Sequence, residues 1–338
     1  MSDFRRHSST AQAAYHDLVS LLLDEAISDI RGSPISRERN GRLYWYDRYR
    51  IGNKIYERYL GENNDQTLSR VERHQALKEG RDSRTAERSR LVRLLRSERF
   101  LGVDGATGSF LAALARVGTF RLGGVLVGTN AFRLYEGELG FQPKLDQIVT
   151  TNDIDIASFE KVSVAIGESV LPSVDEALAE LDFDAAPAIG SPKTWRWRQS
   201  RTGALVEFLT PSFNSDEELR DLPSLGVSAQ SLHFLNYLIA EPIAAAAVYR
   251  DGILVQVPRP ERFAIHKLIV ADRRLERADR QKARKDILQA ELLIRVLAED
   301  RPSDLQAAYQ DALARGPKWR SRLESSIGRS VIAAKYLH

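Results

Sequence analysis

The run Asp153-Ile154-Asp155-Ile156-Ala157 fits one kind of setting best. In an extended strand, successive side chains alternate between faces. Ile154 and Ile156 then enter a core, while Asp153 and Asp155 share the opposite face. At ~3.3 Å of rise per residue the two carboxylates start about 7 Å apart on one rigid strand, close enough to converge on a divalent ion. Such a strand needs a sheet with one dry face, and 338 residues that are 43% apolar supply ample core for it. The alternative is an ordinary polar face on an edge strand. Asp182-Phe183-Asp184 in the same chain shows how readily the bare pattern arises.

Two further blocks give the pair a context. Phe120 to Val127 predicts an apolar strand running into Gly128-Thr129-Asn130-Ala131-Phe132, where a helix begins. Glycine at such a corner lets the backbone approach a phosphate, and Thr129 adds a hydroxyl and N–H groups at a helix N-terminus. The corner is neither a P-loop nor a Gly-x-Gly-x-x-Gly dinucleotide fingerprint, which makes a dehydrogenase-like binder a poor fit. Downstream, Leu205-Val206-Glu207-Phe208-Leu209 sets one carboxylate in an otherwise apolar strand. That charge is costly unless something answers it. A metal would do so, as would Arg196 or Arg198, or a place at the exposed end of the sheet.

In this order, Gly128-Thr129-Asn130-Ala131-Phe132, Thr151-Asn152-Asp153-Ile154-Asp155 and Val206-Glu207-Phe208-Leu209-Thr210-Pro211 resemble the signature of the DNA polymerase β-like nucleotidyltransferase superfamily. Arg259-Pro260-Glu261 through His266-Lys267-Leu268, followed by Lys285-Asp286, resembles the helical part of bacterial stand-alone members, whose distant relatives include AbiEii-type toxins. The resemblance covers about residues 115–300. It implies an α+β fold, with a small mixed β-sheet core and helices, followed by a C-terminal helical region. It also implies a metal-dependent enzyme that transfers a nucleoside monophosphate from an NTP to an acceptor hydroxyl and releases pyrophosphate. Asp153, Asp155 and Glu207 would be catalytic and would hold Mg²⁺ (or Mn²⁺). Gly128, Thr129, Asn130 and Lys267 would bind the nucleotide. An RNA or tRNA end as acceptor, and a toxin role with an antitoxin partner, extend the same resemblance. The competing reading is a non-catalytic module that binds nucleic acid or protein on this fold.

The rest of the chain divides into residues 1–100, 101–258 and 259–338. Residues 1–100 carry 20 basic and 15 acidic side chains, residues 101–228 carry 10 and 18, and residues 229–338 carry 19 and 13. An acidic centre between basic flanks suits a cation site with arms that attract a polyanion, although solvated faces give the same tally. Tyr15 to Ile30 predicts a helix. Gly41 to Gly61 predicts a hairpin turning at Gly52-Asn53, dense in Arg and Tyr, whose aromatics either stack on bases or pack on one another. Residues 64–100 read as one long charged helix. Ser173 to Leu181 predicts a helix, and hairpins are expected over Lys193–Leu209 and Ala245–Val257. Beyond Pro258 the chain reads as helical, with His266 packed and Lys285 and Asp286 forming a structural pair. Trp195 and Trp197 read as core or as a base-stacking platform. Zero cysteines exclude disulfides, a thiolate zinc site and a cysteine nucleophile. No apolar stretch nears the ~20 residues that span a bilayer, so a cytoplasmic protein without a membrane partner is expected.

Overall fold

The computed structural model describes residues 4–26, 30, 32–51, 54–143, 153–166, 169–186 and 193–337. The N-terminal part holds β1 (Arg5–Arg6), α1 (Ser9–Ala26), the strands β2 (Ser33–Arg39), β3 (Arg42–Ile51) and β4 (Lys54–Glu62), and the helices α2 (Asp65–Glu79) and α3 (Arg81–Ser97). Next come α4 (Gly105–Val117), β5 (Val125–Val127), α5 (Gly128–Leu139), β6 (Phe141–Gln142), β7 (Asp153–Ala157), α6 (Glu160–Ile166), α7 (Val174–Ala179) and β8 (Phe183–Ala185). They are followed by β9 (Arg196–Gln199), β10 (Leu205–Pro211), β11 (Leu219–Leu222), β12 (Val227–Leu232), α8 (Leu235–Leu238), β13 (Ile243–Ala247) and β14 (Ile253–Val257). The chain ends in α9 (Pro260–Glu276), α10 (Arg280–Asp300), α11 (Pro302–Ala314), α12 (Pro317–Ile327) and α13 (Val331–Tyr336). The fold is α+β, as expected.

The central sheet is mixed, in the order β11-β12-β10-β7-β5, with β9 pairing the first half of β10 and β8 pairing β9. β7 and β10 are parallel, with Ile154 opposite Val206 and Ile156 opposite Phe208. All four are fully buried, so the period-two alternation sends one row of each strand into the core. That core is continuous from Phe110 through the sheet to Leu337, so the C-terminal helices and the sheet share one apolar interior. Within it α9 packs on α10, α11 and α12.

Several segments differ from expectation for local reasons. Of the apolar run before Gly128 only Val125–Val127 is strand, because Gly118 and Gly123 take left-handed φ values and turn the chain ahead of it. The hairpin at the N-terminus gains a third strand. Asn40 (φ 52°) and Gly41 (φ 71°) make a tight turn between β2 and β3, a strong Asn-Gly signal that the sequence reading passed over. The Gly52-Asn53 turn lies outside the described residues, as do Thr151 and Asn152 ahead of Asp153. The long charged helix is broken at Gly80, which caps α3. Neither β11 nor β12 was expected, because their polar residues mask the alternation. Ser228 donates to Asp221 across that pair, and Ser231 accepts from the Glu218 N–H. The hairpins β9–β10 and β13–β14 form as expected.

The N-terminal hundred residues are not an appendage. β1 pairs with β6. Leu18 and Leu22 of α1 pack with Leu91, Val92 and Leu95 of α3 and with Ala246 and Val248 of the β13–β14 hairpin. Tyr46 and Tyr59 meet edge to face and Tyr49 stacks on Tyr56 within the small sheet, while Tyr59 stays half exposed. Among the described residues, no helix is long and apolar enough to cross a membrane.

Candidate active site

Three strands bring the site together. In the parallel β7–β10 ladder Asp155 stands directly opposite Glu207, and Asp153 stands opposite Leu205. On the other side of β7, the antiparallel β5 sets Val127 opposite Asp155. Because Ile154, Ile156, Val206 and Phe208 occupy the core face, Asp153, Asp155 and Glu207 all emerge on the other face. Asp153 is exposed at the strand start, while Asp155 and Glu207 are partly buried.

Directly after Val127 the chain turns into α5 through Gly128, whose φ is 69°. A Cβ there would also collide with Oδ2 of Asp155. Glycine is therefore required twice, once by the left-handed backbone and once by the carboxylate pressed against it. Asn130, in the first turn of α5, donates from Nδ2 to the main-chain oxygen of Asp153 at 2.8 Å. That bond braces the helix start against the start of β7. Thr129 and Asn130 are both buried, at 7% and 2% exposure.

The electrostatics of the acid face are unbalanced. Burial, and then repulsion from Asp153, raise the Asp155 carboxyl to about 6, against the opposing pull of Lys267, Arg274 and Lys285. Glu207 is raised to about 7, by burial first, then by Asp155 and more weakly by Asp153, against the opposing pull of Arg196 and Lys282. Among the described residues neither Asp155 nor Glu207 has a hydrogen-bonded or ion-paired partner. Arg196 sits opposite Glu207 in the β9–β10 ladder, yet its guanidinium lies over the Trp195 ring at 5.2 Å. The neutralising pair foreseen for Glu207 is not formed.

An all-oxygen donor set on one rigid face suits a hard divalent cation, and two adjacent, mutually repelling carboxylates are stabilised by one. No three such side chains among the described residues stand close enough to enclose an ion as they are placed. Asp155 and Glu207 are thus the pair that fits an ion, with Asp153 two positions away on the same face.

Basic side chains from the C-terminal helices face these acids. Lys282 and Lys285 lie three apart on α10, one turn of helix, and their fields reach Glu207 and Asp153. Burial, and the nearby Lys267, lower the Lys285 ammonium from its ordinary value. Lys267 itself is buried and donates to Asp286 at 2.6 Å, while Arg274 donates to the other oxygen of Asp286 at 2.6 Å. The expected Lys285–Asp286 pair is therefore replaced. Neighbours on a helix point about 100° apart, so Asp286 turns inward to α9 while Lys285 turns to the acids. Lys282 and Arg274 were missed by the sequence reading. Their signal was the i, i+3 spacing to Lys285 and the i, i+7 spacing to Lys267. His266 is buried and held well below its usual range, to about 3, chiefly by that burial. Trp197 is core, its indole N–H donating to Asp175 at 2.7 Å.

The comparison with known families agrees with this arrangement. Residues 105–314 match the profile of a nucleotidyltransferase family, and the chain belongs to that family. The match takes in the Gly128 corner, all three carboxylates and the facing helices α9 and α10. No curated protein gives a significant match to the chain.

Proposed function

We propose that the protein is a divalent-metal-dependent nucleotidyltransferase that joins a nucleoside monophosphate to an acceptor hydroxyl. The observation that carries this reading is the side-by-side placement of Asp155 and Glu207, on the face that Gly128 keeps open. Asp155 and Glu207 are the residues that would hold Mg²⁺ or Mn²⁺, with Asp153 beside them on the same face. When bound, such an ion supplies charge neutralisation at the transferring phosphoryl group and acidifies the attacking hydroxyl.

The chain's own residues divide the remaining work. The backbone N–H groups after Gly128 open a helix N-terminus, which favours phosphate oxygens. Lys282 and Lys285 face the same acids from α10 and provide positive charge for the rest of the triphosphate. Lys267, tied to Asp286, acts through the field it lends the site and through the α9–α10 junction that holds Lys285 in place. In the reaction the acceptor oxygen forms a bond to the α-phosphorus, and the bond to the β-phosphate bridging oxygen breaks. Pyrophosphate leaves with that electron pair, and the hydroxyl proton passes to a carboxylate of the acid face or to water. Catalysis of this kind rests mainly on positioning and electrostatics.

For the acceptor we favour an RNA end. The basic flanks around an acidic centre support a polyanionic partner. The hairpin contributes less than its sequence promised, since Arg42, Arg48, Lys54 and Arg58 each lie within 4 Å of a carboxylate, at 3.8, 3.9, 2.9 and 3.7 Å. The test is incubation with each labelled NTP and total cellular RNA, with Mg²⁺ and with EDTA. Label entering RNA only in the presence of Mg²⁺ supports the proposal. Label transfer that persists in EDTA, or that survives in Asp155→Asn, contradicts it.

A further inference from the structure

A cavity of about 480 Å³ lies well away in sequence from the acid face, between α1, α3, α4 and β14. Arg81, Arg84 and Arg88 enter it from one face of α3 at i, i+3 and i+7, Arg116 from the end of α4 and Arg121 from the turn beyond. Among the described residues, the one carboxylate in this lining is Glu25. Arg88, only 7% exposed, is held from both sides, donating to Glu25 at 2.7 Å and to Asp251 at 2.6 Å. Its Nε is buried without a hydrogen-bond partner, as is the Nε of Arg84, which stands 3.8 Å from Glu25. Arg116 donates to the main-chain oxygen of Arg50, an uncharged acceptor. Leaving Arg121 aside and counting Asp251, four arginines meet two carboxylates among the described residues of the lining. Like charges gathered in a concave site are mutually costly, and an anion relieves that cost. The walls between the guanidinium groups are apolar, Leu22, Phe120 and Leu254 among them.

We propose that this cavity binds a phosphate ester carrying at least two negative charges, with the phosphates on Arg84 and Arg116 and an organic body against the apolar wall. The volume is within the ~300–1,000 Å³ usual for small-ligand sites and accommodates a nucleoside phosphate. Free nucleotide and the phosphorylated end of an RNA offer the same chemistry. Only the α4 end and β14 side of the cavity belong to the family-matched residues, so the site joins those residues to the N-terminal part outside the match. The proposal does not depend on the catalytic reading.

Titration calorimetry in EDTA tests it on the full-length protein, with the cavity's share read as the part of the binding that its arginine variants change and the acid face as the part they leave unchanged. Pyrophosphate and ATP are each expected to bind at the cavity. Arg84→Ser and Arg116→Ser should each weaken binding about tenfold or more, as expected for loss of a charged hydrogen bond. Glu25→Gln removes the competing carboxylate and should tighten binding, a change that a merely unfolded variant cannot give. Absence of binding by both probes overturns the proposal, as does an affinity that neither arginine variant changes. Competition then assigns the source. Displacement of pyrophosphate by a 5′-phosphorylated oligoribonucleotide but not by its 5′-hydroxyl form points to an RNA end. Displacement by neither points to a free nucleotide. Equal displacement by both means general polyanion attraction and contradicts a built site.

Discussion

Asp155 and Glu207 are held in the fold at a cost, and the cost has a sign that can be measured. Their carboxyls titrate near 6 and 7 in the folded protein, against about 4 for free groups. The folded state therefore binds more protons than the unfolded state between these limits, and metal-free stability falls as pH rises from about 4 through about 7. Asp155→Asn and Glu207→Gln should each stabilise the metal-free protein at pH 8, by on the order of 1–3 kcal/mol, and do nothing comparable at pH 4. Urea melts at the two pH values check this, and destabilisation at pH 8 would contradict the electrostatics described above. Gly128 gives a second residue-level test. Gly128→Ala should cost about 1–3 kcal/mol through its positive φ and its clash with Asp155. In a double-mutant cycle with Asp155→Ala, part of that loss should be recovered, because the two residues are in contact.

At the scale of elements, legibility followed periodicity. The β7 alternation, the β9–β10 and β13–β14 hairpins and the C-terminal helices could be read because their apolar residues repeat at the period of the structure they form. β11 and β12 could not, since their serines and Asp221 are satisfied by each other and by neighbouring backbone, which only the folded chain reveals. The carboxylates were legible for the same reason as β7. The cations facing them were not, because opposing α10 to the sheet is a tertiary event. It hangs on Asp286, fully buried between Lys267 and Arg274. Asp286→Ala should therefore destabilise the protein by about 3–5 kcal/mol, the usual result of stranding a buried charge. A denaturation curve within 1 kcal/mol of wild type, on the scale of an exposed ion pair, would refute that role.

At the scale of the whole molecule, one interior joins the sheet to the terminal helices, and α1 closes over the β13–β14 hairpin. Leu18→Ala, at a fully buried position, should cost about 2–5 kcal/mol and lower the stability of the acid-face region along with the N-terminus. Hydrogen exchange on β7 and β10 would show whether that loss is shared. For the same reason, removing residues 1–100 should unfold the chain rather than release a working core. The acidic centre then sits between two basic flanks, the charge distribution on which the proposed polyanionic acceptor rests. The most direct test of the central claim is pyrophosphate release from NTPs in the presence of cellular RNA, comparing wild type with Asp155→Asn and Glu207→Gln. The account predicts Mg²⁺-dependent release by wild type and its loss in both variants, which stay folded. Equal release by wild type and the variants, or release unaffected by EDTA, would contradict it.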